Sequence, residues 1–369
     1  MKKITGNEQL DFQINRFTMN FKDDKRVQQD IQDMSYKIKS VEDWNKWWSK
    51  KALEYEQLGE FEIAANYYKA AMFYLIASSQ RQKLYQSFIR CFYQYYDDFD
   101  YERGEVPYEN GFLPTLYLKN KNATKTLLVI GGFDSYLEEV ATFFKYMRGT
   151  NYNMLIFDGP GQGNTSYQGL KFVPNFEKPV GAILDYYNLE NVAAIGLSWG
   201  GYLVMRAAAF EKRITKVIAM DIFYSPMDTV KMNVGLMRYG ILNILLKYNQ
   251  IKLVNNLFDK LAKENIDLTW KLTNGYQLTE EKTPFDLIKN LKRHNVKNIL
   301  PLVNQDCLLL AGREDIYVPV SRLKTIKKGL ISSSRIESKI FDSTTGGEKH
   351  CQIGHMDLAF ERIINFLDK

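Results

Sequence analysis

One serine, two late histidines and a choice of carboxylates could form a nucleophilic site in this chain. Ser198 stands in Gly196-Leu197-Ser198-Trp199-Gly200-Gly201, after the apolar run Val192-Ala193-Ala194-Ile195 and before the helix-like run Tyr202 to Ala209. That order is strand, sharp turn, helix, with the serine at the apex. Gly196 and Gly200, two before and two after it, let strand and helix approach closely. The serine oxygen is then presented at the end of a strand, where a helix N-terminus favours negative charge. The chemistry such a group performs is attack on an electrophilic carbon.

A nucleophile of this kind needs a base, an acid that orients the base, and donors for the developing oxyanion. The chain has three histidines, His294, His350 and His355. His294 lies in the polar segment Lys292-Arg293-His294 and is expected at the surface. His350 lies in the glycine-rich loop Gly346-Gly347-Glu348-Lys349-His350-Cys351, after the strand-like run Ile336 to Phe341. A serine-acid-histidine chain order, usual for this kind of turn, favours the last two histidines, and the loop position favours His350. His355 is expected to start the terminal helix. For the acid, Asp315 and Glu314 follow the short apolar run Cys307 to Ala311, in a loop stopped by Pro319, and Asp221 follows Val217 to Met220. Glu314 is expected to face solvent.

The oxyanion donors should be two preorganised backbone N–H groups. One is the amide of Trp199, directly after the serine. The other is assigned to Phe133, in Gly131-Gly132-Phe133-Asp134 after the strand-like Thr126 to Ile130, where Gly131 and Gly132 allow close approach to a substrate. A second glycine-rich loop, Asp158 to Gly163, follows Met154 to Phe157. It lacks the Lys-Ser/Thr of a phosphate loop, since Asn164-Thr165 comes next, so it reads as a rigid connection beside the site.

Taken together, these stretches resemble the serine α/β-hydrolases. More narrowly, the chain is similar to the branch with a helical N-terminal domain that includes 2,6-dihydroxypseudooxynicotine hydrolase, the fermentation-respiration switch protein and fungal polyketide-shortening hydrolases. The matching residues are Asp11 to Arg16, Gly131 to Ser135 with Glu138-Glu139, Asp158 to Gly163, the turn at Ser198, Gly312 to Pro319, and His350-Cys351-Gln352-Ile353-Gly354. The resemblance implies Asp315 as the acid, from the glycine-to-aspartate spacing of its loop, and His350 as the catalytic histidine, from the Cys-Gln that follows. It also implies a homodimer. The chain departs from the branch at His355, where a small polar residue is expected.

The elements that must position these groups follow from pattern. Residues 1–104 read as a helical domain, with Trp44, Trp47, Trp48, Leu53, Tyr55 and Leu58 at roughly helical spacing. From 105 to 369 strands alternate with helices, which implies an α/β-hydrolase fold with a mostly parallel sheet. Residues 222–304 form a long interval with amphipathic helical runs, expected to be a helical lid over the site.

Composition sets bounds. At 369 residues, 45% hydrophobic and 25% charged, the chain reads as a soluble protein able to bury a large core. The net charge of +6 comes from scattered, interleaved residues, so no nucleic-acid partner is expected. Met1-Lys2-Lys3-Ile4-Thr5-Gly6-Asn7-Glu8 lacks an apolar signal core, and no run reaches the ~18 apolar residues of a membrane span. No membrane partner and a cytoplasmic location are therefore expected. Cys91, Cys307 and Cys351 have neither disulfide nor metal spacing, and Cys351 is expected to pack behind the histidine. No metal or organic cofactor is expected. The expected activity is cleavage of an ester or amide bond in a small molecule or short peptide through an acyl-enzyme. The alternatives are C–C hydrolysis of a ketone or 1,3-dicarbonyl, and a non-catalytic protein-binding regulator on the same scaffold.

Overall fold

The structure is a computed structural model and describes residues 3–369; Met1 and Lys2, part of the stretch read for a signal core, lie outside the described residues. Two compact units emerge, one from residues 1–99 and 261–277, the other from 100–260 and 278–369. Residues 261–277 thus pack with the N-terminal helices, while the rest of the 222–304 stretch packs with the sheet unit.

The first unit is helical. Helices α1 (Glu8–Thr18), α2 (Lys25–Lys37), α3 (Val41–Gln57), α4 (Phe61–Met72) and α5 (Ser79–Tyr95) start at side-chain caps in four of five cases, from Asn7, Asp24, Ser40 and Ser78. Such caps satisfy backbone donors that have no partner within the helix. Their apolar faces meet in an aromatic core, where Trp48 packs edge-on to Tyr67 at 4.7 Å and to Phe17 at 6.3 Å. Among the buried acids here, Asp30 accepts hydrogen bonds from the Tyr55 and Tyr67 hydroxyls and pairs with Lys51. In the returning segment, Trp270 stacks on Phe73 at 4.7 Å.

The second unit is built on one sheet of β1 (Tyr101–Tyr108), β2 (Gly111–Leu118), β3 (Lys125–Ile130), β4 (Tyr152–Phe157), β5 (Val192–Leu197), β6 (Ile214–Met220), β7 (Asp306–Gly312) and β8 (Ile336–Phe341). Their order is β1-β2-β4-β3-β5-β6-β7-β8. β1 and β2 form an antiparallel hairpin that joins β4 antiparallel, and all other neighbours are parallel. The central strands are apolar along their whole length: β5 is buried at every residue, as a strand covered on both faces must be. The ends of β3, β5, β6 and β7 lie at one edge, so the loops after Ile130, Leu197, Met220 and Gly312 come together there. Between β6 and β7 run helices Pro226–Val234, Leu236–Lys247, Ile251–Lys263, Ile266–Thr279 and Pro284–Leu291. Among the described residues, no helix is long and apolar enough to cross a membrane.

Candidate active site

The turn after β5 is compressed. A Cβ on Gly196 would lie 1.8 Å from the carbonyl oxygen of Gly200, and one on Gly200 would lie 2.5 Å from that of Ile130. Only glycine permits such contact. Between them Ser198 adopts φ +57°, the left-handed region that L-residues avoid. Its side chain is lifted out of an otherwise buried strand-turn. Gly132 meets it from the β3 loop: a Cβ there would stand 3.1 Å from Ser198 Cβ.

His350 arrives from the loop after β8. Its Nε2 lies 2.7 Å from Ser198 Oγ, and its Nδ1 lies 2.7 Å from Asp315 Oδ2. With a carboxylate facing Nδ1, the proton belongs there, and Nε2 is left to accept from the serine hydroxyl. Asp315 is fixed in turn, because its Oδ1 accepts the backbone N–H groups of Tyr317 and Val318 at 2.7 and 2.9 Å. Of the residues singled out in the sequence, the structure therefore brings together Ser198, His350, Asp315, Gly132 and, on either side, Phe133 and Trp199. The Phe133 ring lies 5.8 Å from Trp199 and stacks on Phe172 at 5.5 Å.

The other candidates are placed differently. His355 is exposed and precedes the terminal helix Met356–Leu367 without a side-chain cap, its ring resting on Gly346. Glu314 points outward to Lys349 at 2.7 Å. Cys351 is buried behind the histidine with its thiol toward the Met220 carbonyl, and burial pushes that thiol's pKa up, away from the thiolate. The expectation for His294 is wrong. It is buried, 1% exposed, against the rings of Trp199 at 5.1 Å and Tyr202 at 5.6 Å. Burial lowers its pKa to about 3, so it is neutral. The polar sequence around it, Lys292-Arg293, gave no sign of that pocket.

Two contributions were not legible in the sequence. Gln162 is buried under the β3 loop, where its Nε2 donates to the carbonyls of Gly131 and Gly132 at 2.7 and 2.9 Å while its Oε1 accepts from Gly159 N–H. Its side chain thus sets the backbone that faces Ser198. Asp221, weighed only as an alternative to Asp315, reaches the same imidazole nitrogen: its Oδ2 lies 3.0 Å from His350 Nδ1. Burial pushes the Asp315 carboxyl up, with Asp221 adding to the rise, to about 7. Burial opposes the charged forms of Asp221 and His350 as well, yet the hydrogen bond and attraction to His350 hold Asp221 below the usual carboxylate range, and Asp315, with Cys351 and Asp221 adding, holds His350 well above the usual imidazole one. Asp221, His350 and Cys351 are also the one grouping among the described residues close enough to share a metal ion, but their polar atoms are spent on one another and on neighbouring backbone.

The match to known proteins agrees with this fold. Residues 125–342 match the family described as the alpha/beta hydrolase fold, and the chain belongs to it. That match spans Ser198 and Asp315 and ends before His350. The chain is 25% identical over 341 residues to Hydrolase LUC6 of Fusarium sp, covering 83% of this chain and 79% of that protein. It is 26% identical over 290 residues to 20-hydroxy-prefusarin hydrolase FUS2 of Gibberella moniliformis, covering 72% and 68%. In three dimensions it resembles 2,6-dihydroxy-pseudo-oxynicotine hydrolase, with a TM-score of 0.66, 16% identity and 96% and 95% of the two chains covered. It is also similar to AbyA5, with a TM-score of 0.69, 15% identity and coverage of 98% and 95%. The protein is a hydrolase of the α/β fold family.

Proposed function

We propose that the protein is a serine hydrolase that cleaves an ester or amide bond of a small molecule or short peptide through an acyl-enzyme. The observation that carries this reading is the hydrogen-bonded line Asp315–His350–Ser198, ending on a serine held at φ +57°. In the first step Ser198 Oγ attacks the acyl carbon while His350 Nε2 takes its proton. Asp315 holds the imidazole in the tautomer that makes this possible and stabilises the charge it gains. The amides of Trp199 and Phe133 receive the oxyanion. Gly132 supports that choice for the second donor, because its own N–H is already given to Ser135 Oγ at 2.7 Å. His350 then returns the proton to the leaving group, and water repeats the sequence to free Ser198. Phe133, Phe172 and Trp199, mutually packed at 5.5 to 5.8 Å, with Phe223 against Trp199 at 5.5 Å, support an apolar acyl or aryl substrate.

A second reading keeps the same residues and changes the bond to C–C, with a carbanion as leaving group. His350 Nε2, 2.7 Å from Ser198 Oγ, stands where it could protonate a departing carbanion as well as a departing oxygen or nitrogen, which supports keeping this reading. A panel of acyl esters, aminoacyl amides and 1,3-dicarbonyl compounds separates the two. Turnover of the first two classes alone supports acyl transfer; turnover of 1,3-dicarbonyls alone supports C–C cleavage. No turnover of any class, with Ser198 unreactive, contradicts both.

A further inference from the structure

His350 is served by two buried acids rather than one. Asp315 reaches Nδ1 from the loop after β7 and Asp221 from the loop after β6, at 2.7 and 3.0 Å, and both carboxyls are sealed from solvent. Each has its own set of donors. Asp315 Oδ1 accepts from the Tyr317 and Val318 amides. Asp221 Oδ2 accepts from the Cys351 amide at 2.7 Å, and its Oδ1 from Gln352 Nε2 at 3.0 Å. Those last two donors belong to the residues that directly follow His350, so Asp221 holds the segment that carries the histidine as well as its ring. A side chain present only to fill the strand end would not require this arrangement.

We propose that Asp221 is a second positioning carboxylate for His350, able to hold the Nδ1–H tautomer and stabilise the imidazolium when Asp315 is protonated or absent. The inference rests on the serine-hydrolase reading. Its physical basis is that two carboxylates this close resist ionising together. Because both carboxyls lie against Nδ1, whichever is ionised faces the imidazole. The titratable groups facing His350 are Asp221, Asp315 and the Cys351 thiol, with the edge of the Tyr317 ring at 4.9 Å. Protonation of one acid therefore leaves the other to hold the tautomer, and because both acids favour the imidazolium, the acid limb of activity lies higher in pH than one acid alone would set and moves down when either is removed.

The test uses full-length Asp315→Asn, Asp221→Asn and the double variant, with hydrolysis of an acyl ester, labelling of Ser198 by a fluorophosphonate, and thermal melting measured for each. Where one acid serves the histidine alone, its amide replacement costs about 10⁴ in kcat because the tautomer is lost. Here each single variant should lose only about tenfold in kcat at unchanged KM, and the double about 10⁴, far beyond the product of the two. The acid limb of the pH profile should also move in each single variant. The inference is overturned if Asp315→Asn alone costs the full 10⁴, or if Asp221→Asn lowers the melting temperature without moving kcat or the pH profile of the folded enzyme. A parent protein whose Ser198 is never labelled contradicts the hydrolase reading instead. Should Asp221→Asn not fold, NMR titration of His350 in Asp315→Asn decides. A midpoint that stays above the ordinary ~6.5 supports the second carboxylate, and one at or below it overturns the inference.

Discussion

His350 and His294 are both buried in the sheet unit, and the structure treats them oppositely. His350 sits between two carboxylates and a serine, and its charged form is favoured. His294 sits among aromatic rings with neither ring nitrogen hydrogen-bonded, and its charged form is suppressed. Burial disfavours the imidazolium at both sites. What separates them is the supply of acids, which comes from strand ends at one site and is missing at the other. Burial marks a histidine as unusual; its partners decide whether it can move a proton.

The largest effect expected from breaking this contrast is at His350. His350→Ala should lower kcat by on the order of 10⁴ to 10⁶, as removal of the base from such a site does, while His355→Ala stays close to the parent. Steady-state kinetics on one acyl ester checks both. Loss of activity in His355→Ala with retention in His350→Ala would reverse the assignment.

A smaller effect is expected one layer away. Gln162→Leu keeps the volume but removes the donor to Gly131 and Gly132 and strands the Gly159 N–H. The Phe133 amide should then lose its aim, and kcat should fall about tenfold to hundredfold, less than removing an oxyanion donor outright. A change confined to KM would place Gln162 outside the chemistry.

The smallest effect sharpens the other side. His294 has a folded pKa of about 3, below its unfolded value near 6.5. The unfolded chain therefore binds the extra proton, so this group costs stability as pH falls below about 6.5, with the loss complete near 3. His294→Phe should remove that part of the slope. Urea unfolding at neutral and acid pH measures it, and identical slopes in parent and variant would contradict the assigned pocket.

The sequence was most legible where sterics leave few choices. The Gly196–Gly200 spacing around Ser198 specifies the compressed turn, and continuous apolar runs such as Val192 to Leu197 specify strands covered on both faces. Chain order narrows the histidine to His350 or His355, and the loop pattern with the family resemblance supplies the choice of Asp315 and His350, which lie in line with Ser198. Contacts between distant segments were not legible. Nothing near Gln162 shows that its amide reaches 30 residues back to Gly132, and nothing near Asp221 shows that it meets Cys351, 130 residues later. Residues 261–277 read as part of the 222–304 interval, because an amphipathic pattern reveals that a helix has a buried face but not which neighbour buries it.

The central claim is that Ser198 is a nucleophile activated by His350. Treatment of the pure protein with a fluorophosphonate, followed by peptide mass analysis, tests it most directly. The account predicts one phosphonyl adduct on the peptide that holds Ser198, absent in both Ser198→Ala and His350→Ala while the fold is kept. Folded parent protein that stays unlabelled, or that is labelled equally after Ser198→Ala, would contradict it.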